Sequence, residues 1–128
     1  VSKLRALIES GFIDRGDGTI LDTRTNFLWQ QSSPSKKFTW KESNEYCKSL
    51  MFVGYSDWRL PTKEELEYLI NRKYSPSIDP IFECKPSWYW SSSTYAYDPI
   101  YACLAHFYDG YIHHDYRGCV HFIRAVRG

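Results

Sequence analysis

All four histidines of the chain, His106, His113, His114 and His121, fall in its last quarter, interleaved with Asp109 and Asp115. Imidazole and carboxylate are common zinc ligands, and two histidines facing each other across a hairpin could share an ion with a third donor. If Asp109-Gly110 forms a two-residue turn, residue 108 pairs with 111, 107 with 112, and His106 with His113. Asp115 or another histidine would complete the set. The same side chains are also ordinary polar residues on the solvent face of a hairpin, and no metal or cofactor is expected. Ser91, Ser92 and Ser93 follow Trp90, but no G-x-S-x-G elbow surrounds them to activate a nucleophile. Asp14, Asp17 and Asp22 lie near one turn without the spacing or the terminal glutamate of an EF-hand loop. No catalytic residue is assigned, and the chain is not expected to be an enzyme.

Cys47, Cys84, Cys103 and Cys119 contain no C-x-x-C pair, which argues against a zinc ribbon or a thioredoxin-type site. An even number of cysteines in a small aromatic-rich domain fits two disulfides formed in an oxidising compartment. Four free, buried thiols are the alternative, because cysteine is often simply buried.

The elements that must position these groups belong to one domain, since 128 residues suit a single core. Sixteen Lys and Arg against fifteen Asp and Glu leave no basic excess, so a nucleic-acid partner is not expected. No apolar run approaches the roughly 20 residues of a membrane span, so no membrane insertion is expected of this segment. Val1 to Gly11 lacks the apolar stretch of a signal peptide. Residues 1–10 place Val1, Leu4 and Ile8 at helical spacing and read as a stem helix, with the domain proper over 11–128.

Gly16-Asp17-Gly18 separates two short extended runs and predicts a hairpin, with Phe27-Leu28-Trp29 as a further strand. Thr39 with Glu42, and Thr62 with Glu65, are capping boxes. They predict helices from Trp40 to about Leu50 and from Lys63 to about Lys73. Ahead of the second helix, "DWRLP" drops Trp58 and Leu60 into a core. Arg59 points elsewhere or pairs with a carboxylate, Pro61 discourages helix before it, and Thr62 caps. "SWYWSSS", the segments flanking Asp109-Gly110, and "CVHFIRAVRG" read as strands. Trp29, Trp40 and Trp90 are assigned structural roles with Trp58. Short strands, then two helices, then antiparallel strands make an α+β pattern.

Between Tyr95 and His121, six Tyr, four His and three Asp occupy 13 of 27 positions. This is too polar and ring-rich for a core alone, and it matches surfaces in which tyrosine supplies contact area at low entropic cost. Tyr95, Tyr97, Tyr101, His106, Tyr108, Tyr111, His113, His114 and Tyr116 are therefore the candidate ligand contacts. The alternative is that small β domains often expose tyrosine on strand faces.

Six motifs in order, "DRGDGTILDTRTNFLWQQ", "TWKESNEYC", "GYSDWRLPTKEEL", "YWSSS", "FYDG" and "RAVRG", resemble the Legionella collagen-like protein C-terminal domain family over Gly11 to Gly128. The resemblance implies a C-type lectin-like fold, in which two helices flank a small twisted antiparallel sheet and long loops carry ligands. It implies a non-catalytic adhesin or receptor domain of a bacterial surface, secreted or periplasmic protein. The ligand would be a glycan, such as a sulfated glycosaminoglycan, or a protein. A stem would support homo-oligomers, with trimers suiting a collagen-like stalk. The glutamate-, glutamine- and tryptophan-centred calcium motifs of sugar-binding lectins are missing. Where family members often end "RCVRG", this chain has Ala125. Nested pairing as in C-type lectin-like domains would join Cys47 to Cys119 and Cys84 to Cys103; Cys47–Cys84 with Cys103–Cys119 competes with it. A polyanion site would draw on Lys36-Lys37, Arg72-Lys73 or Lys85. Alternatives are an assembly module of a cell-envelope complex, or a variable receptor of a diversity-generating retroelement.

Overall fold

The computed structural model describes residues 11–128, so the stem helix expected over 1–10 lies outside the described residues. The elements, in order, are β1 (Phe12–Asp14), β2 (Thr19–Asp22), β3 (Phe27–Gln30), α1 (Trp40–Ser49), α2 (Lys63–Leu69), β4 (Trp88–Thr94), β5 (Tyr101–His106), β6 (Tyr111–Tyr116) and β7 (Val126–Arg127). They build two antiparallel sheets, of order β1-β2-β3-β7 and β4-β5-β6.

This architecture overturns the expected α+β, C-type lectin-like arrangement of two helices flanking one small sheet. The fold is mostly β. The N-terminal hairpin and β3 recruit the C-terminal β7 into a sheet of their own, and the helices are only ten and seven residues long.

The local signals at the helix starts hold. Thr39 Oγ accepts the Glu42 amide at 3.3 Å while the Glu42 carboxylate accepts the Thr39 amide at 2.9 Å. Thr62 and Glu65 repeat this at 3.2 and 2.8 Å, so two amides at each start that have no helical acceptor are satisfied. The second helix stops at Leu69, short of the expected Lys73. Ile70 turns extended to bridge Ile78, and the Asn71 amide donates to Ser77 O, so pairing with a neighbouring loop replaces helix propagation. Trp58 and Leu60 are buried, as read from "DWRLP", and Arg59 forks onto Glu65 with two hydrogen bonds of 2.7 and 2.8 Å.

Two cores lie on opposite faces of the β4-β5-β6 sheet. The first gathers Ile20, Trp29, Leu66, Leu69, Tyr89, Ala105, Phe107, Phe122 and Val126 with their neighbours. The second gathers Leu28, Phe38, Cys47, Trp58, Leu60, Trp90, Ala102, Leu104, Ile123 and Ala125. Tyr89 and Trp90 go to different cores, as do Ala105 and Leu104, which is the period-2 alternation of a strand buried on both sides. The terminal strand expected over "CVHFIRAVRG" reduces to Val126–Arg127 and isolated bridges at His121 and Phe122. Residues Phe122 to Val126 are all buried because this segment threads between the cores, sending Phe122 and Val126 to one and Ile123 and Ala125 to the other.

Neither disulfide pattern forms. Cys47, Cys84, Cys103 and Cys119 are all free thiols. Cys47 packs in the second core, where burial pushes its thiol up to about 12 and keeps it in the unreactive protonated form. Cys84 packs beside the first core, and Cys103 on β5 has its Sγ against Thr94 O of β4. Each is accommodated separately by its own neighbours.

Candidate functional site

The β5–β6 connection is not the two-residue turn expected of Asp109-Gly110. His106 pairs with Tyr111, leaving residues 107–110 as the loop, closed by the Gly110 amide on His106 O at 2.8 Å. Phe107 is buried in the first core, and its main chain is engaged away from β6, the amide donating to Ser87 O at 2.9 Å and the carbonyl accepting the Ser77 amide at 2.8 Å. Gly110 takes φ +78°, and a β-carbon there would stand 2.8 Å from Arg72 Cγ, so both backbone and space require glycine. Leu104, not His106, is the direct partner of His113. The shift is by two residues, which preserves side-chain parity, so the two histidines remain on one face as diagonal neighbours.

On that face His106 stacks on Trp88 with centroids 3.8 Å apart and planes at 9°, while His113 meets Trp88 edge-on at 4.8 Å. Asp109 reaches back from the loop. Its Oδ2 lies 2.8 Å from His113 Nε2 and 3.2 Å from His106 Nδ1, and its Oδ1 accepts the Tyr111 amide at 2.9 Å. Burial pushes the Asp109 carboxyl up, but the two imidazoles and the Tyr111 amide outweigh it and hold it below the usual carboxylate range. His121 belongs to the same side, edge-on to Trp90 at 4.9 Å, and pairs with Asp115 at 2.8 Å. Asp115 is likewise held low, burial being outweighed chiefly by the His121 hydrogen bond.

His114 faces the other way. Tyr95 stacks on it at 3.9 Å, Tyr101 meets it edge-on at 5.7 Å, and Tyr97 leans on Tyr95 at 5.4 Å. Tyr97 is the most exposed ring of the group, at 88%. Tyr108, exposed on the loop, has its ring 6.0 Å from that of His106, and Tyr111 packs under Arg72 at 4.2 Å. The nine contact candidates therefore do not form one surface: Tyr95, Tyr97, Tyr101 and His114 are brought together, and His106 and His113 are brought together elsewhere.

Tyr116 contributes to a third place, an open groove of about 830 Å³ between α1 and the end of β6. Trp40 forms its wall, fixed by an indole hydrogen bond to Ser91 O at 2.8 Å, and the Arg117 guanidinium lies over the ring at 5.0 Å. Lys41, Glu45 and Lys48 line the helical side, so three cations face one carboxylate. These cations escaped the sequence reading, although positions 41, 45 and 48 have the i, i+4, i+7 spacing of one helix face. The cations it did name do not line this groove: Lys36 lies over Phe38, Lys37 and Lys85 over Phe122, Arg72 over Tyr111 and Lys73 over Tyr74. Asp109 as partner of both histidines was also missed; its signal was the spacing H-x-x-D-x-x-x-H around a loop.

Comparison with known proteins gives one family. The Lcl C-terminal domain matches residues 18–127, which is most of the chain. No curated protein matches it.

Proposed function

Because this chain belongs to the Lcl C-terminal domain family, which fits a non-catalytic bacterial surface domain, we propose that it binds an anionic glycan without chemistry, in the groove between α1 and β6. The observation that carries this is the groove's lining. The Trp40 indole supplies apolar ring surface for a sugar to pack against, and Lys41, Lys48 and Arg117, the last lying over that ring, offer charge to sulfate or carboxylate groups. Arg117 is already held against Trp40, which reduces the ordering cost of engaging an anion. The domain would act outside the cytoplasm, on the cell surface or on a secreted protein.

A second reading, a protein ligand, is favoured by the exposed Tyr95–Tyr97–Tyr101–His114 cluster, whose stacked rings are rigid contact area. The test measures binding of heparin oligosaccharides and neutral glycans at low and physiological salt. Heparin binding that weakens with salt, and falls at least about tenfold in Lys41→Ala/Lys48→Ala/Arg117→Ala, is the expected result. A Lys36→Ala/Lys37→Ala variant should bind like the parent. Equal heparin binding by the groove variant would refute the assignment.

A further inference from the structure

The hairpin of β5 and β6 carries a site that does not depend on the glycan reading. One ligand atom from each of His106, Asp109 and His113 lies within 4.8 Å of the others, and Asp109 Oδ2 stands 3.2 Å from His106 Nδ1 and 2.8 Å from His113 Nε2. We propose that these three atoms bind one zinc ion. In a tetrahedral site with bonds of about 2.0–2.1 Å, neighbouring ligand atoms stand about 3.3 Å apart. The His106–Asp109 separation of 3.2 Å already has that length, and the 2.8 Å of His113–Asp109 needs to open by about half an ångström.

Hydrogen bonding alone does not account for this arrangement. His106 Nδ1 is buried beside a carboxylate oxygen, yet it makes no hydrogen bond. A buried polar atom whose nearest acceptor is not met in hydrogen-bond geometry is costly, and a cation between the three groups would satisfy it as a ligand. The groups are also held in place before any ion arrives. Trp88 stacks on His106 and meets the edge of His113, and the Tyr111 amide holds the other oxygen of Asp109. Such outer contacts orient metal ligands. Two imidazoles with one carboxylate favour zinc over calcium or magnesium, which prefer all-oxygen sets. Three protein ligands leave a fourth position, toward the side on which His113 is 38% exposed, for water or an oxygen donor of a ligand. His114 and His121 are engaged with Tyr95 and Asp115 and take no part.

Chelator-treated protein is dialysed against zinc sulfate at neutral pH and its bound metal is counted by mass spectrometry. The parent is expected to retain one zinc per chain, and His114→Gln and His121→Gln to match it. Asp109→Asn, which keeps the oxygen that accepts the Tyr111 amide, and His113→Gln should each bind at least about tenfold more weakly. Zinc should raise the unfolding temperature of the parent but not of Asp109→Asn. Circular dichroism checks each variant, and Asp109→Asn decides alone should His113→Gln fail to fold. No zinc retained by the parent, or equal retention by Asp109→Asn, would overturn the assignment.

Discussion

Replacing Arg124 tests how the C-terminal segment is tied to the rest of the fold. Its side chain is fully buried, yet all three of its hydrogen bonds go to main-chain carbonyls: Nη1 to Gln30 O and Gln31 O, both at 2.6 Å, and Nη2 to Glu83 O at 2.7 Å. The guanidinium lies 5.2 and 5.7 Å from the ring centres of Phe82 and Tyr89. It thus ties the C-terminal segment to β3 and to the loop before β4. In Arg124→Met the aliphatic volume is kept and the donors are lost. Gln31 O keeps the Glu83 amide at 3.0 Å, whereas Gln30 O and Glu83 O each lose a charged donor. Bonds of that kind are worth about 1.5–3 kcal/mol each. Removing a buried cation returns part of its desolvation cost. The net loss expected is therefore about 3 kcal/mol, a large share of the roughly 5–15 kcal/mol by which a domain is stable. Urea unfolding followed by tryptophan fluorescence measures it directly, because Trp29 and Trp90 are fully buried. A loss under about 1 kcal/mol would refute the argument that these carbonyls depend on Arg124. Arg124→Lys, with one compact ammonium in place of a planar fork, should recover only part of the loss.

Glu65 both caps α2 and receives Arg59, so Glu65→Gln should cost about 1–2 kcal/mol in the same assay. Burial raises the Glu65 carboxyl, but Arg59 and Thr62 together hold it below its ordinary value. The unfolded chain then binds that proton more tightly, so the contribution of Glu65 is complete above about pH 4.3 and declines as pH falls further; a pH series should show this decline in the parent and not in Glu65→Gln. Gly110→Ala should lose about 1–2 kcal/mol, from the positive φ and the contact with Arg72, measured by the same unfolding curve. Titration with a thiol reagent should find four reactive cysteines in denaturant, and Cys47 should be protected in the native protein; two or fewer thiols after denaturation would restore the disulfide reading.

Much of the local structure was legible because its causes are local. Thr39 with Glu42 and Thr62 with Glu65 satisfy amides within one turn, and Arg59 found the carboxylate already placed six residues on. The turn at Gly16-Asp17-Gly18 gave its hairpin for the same reason. The candidate site was legible in its residues and not in its grouping. Neighbours such as His113 and His114 must part to opposite faces of a strand, so a composition count over Tyr95 to His121 joined residues that the sheet separates.

The amino-acid sequence by itself determined the family, the helix starts, the burial of Trp58 and Leu60, and the concentration of aromatic and imidazole groups near the C-terminus. These depend on contacts between residues close along the chain, or on motif order. Only the tertiary structure decided that β7 returns to β3, that the β5–β6 register moves by two with Phe107 buried in the loop, and that four cysteines remain free thiols. It also decided that Trp40 and Lys41 meet Tyr116 and Arg117 across a groove. The return of β7 and the groove are contacts between segments far apart in the chain, selected by which apolar faces can be buried together, and no local propensity encodes that choice.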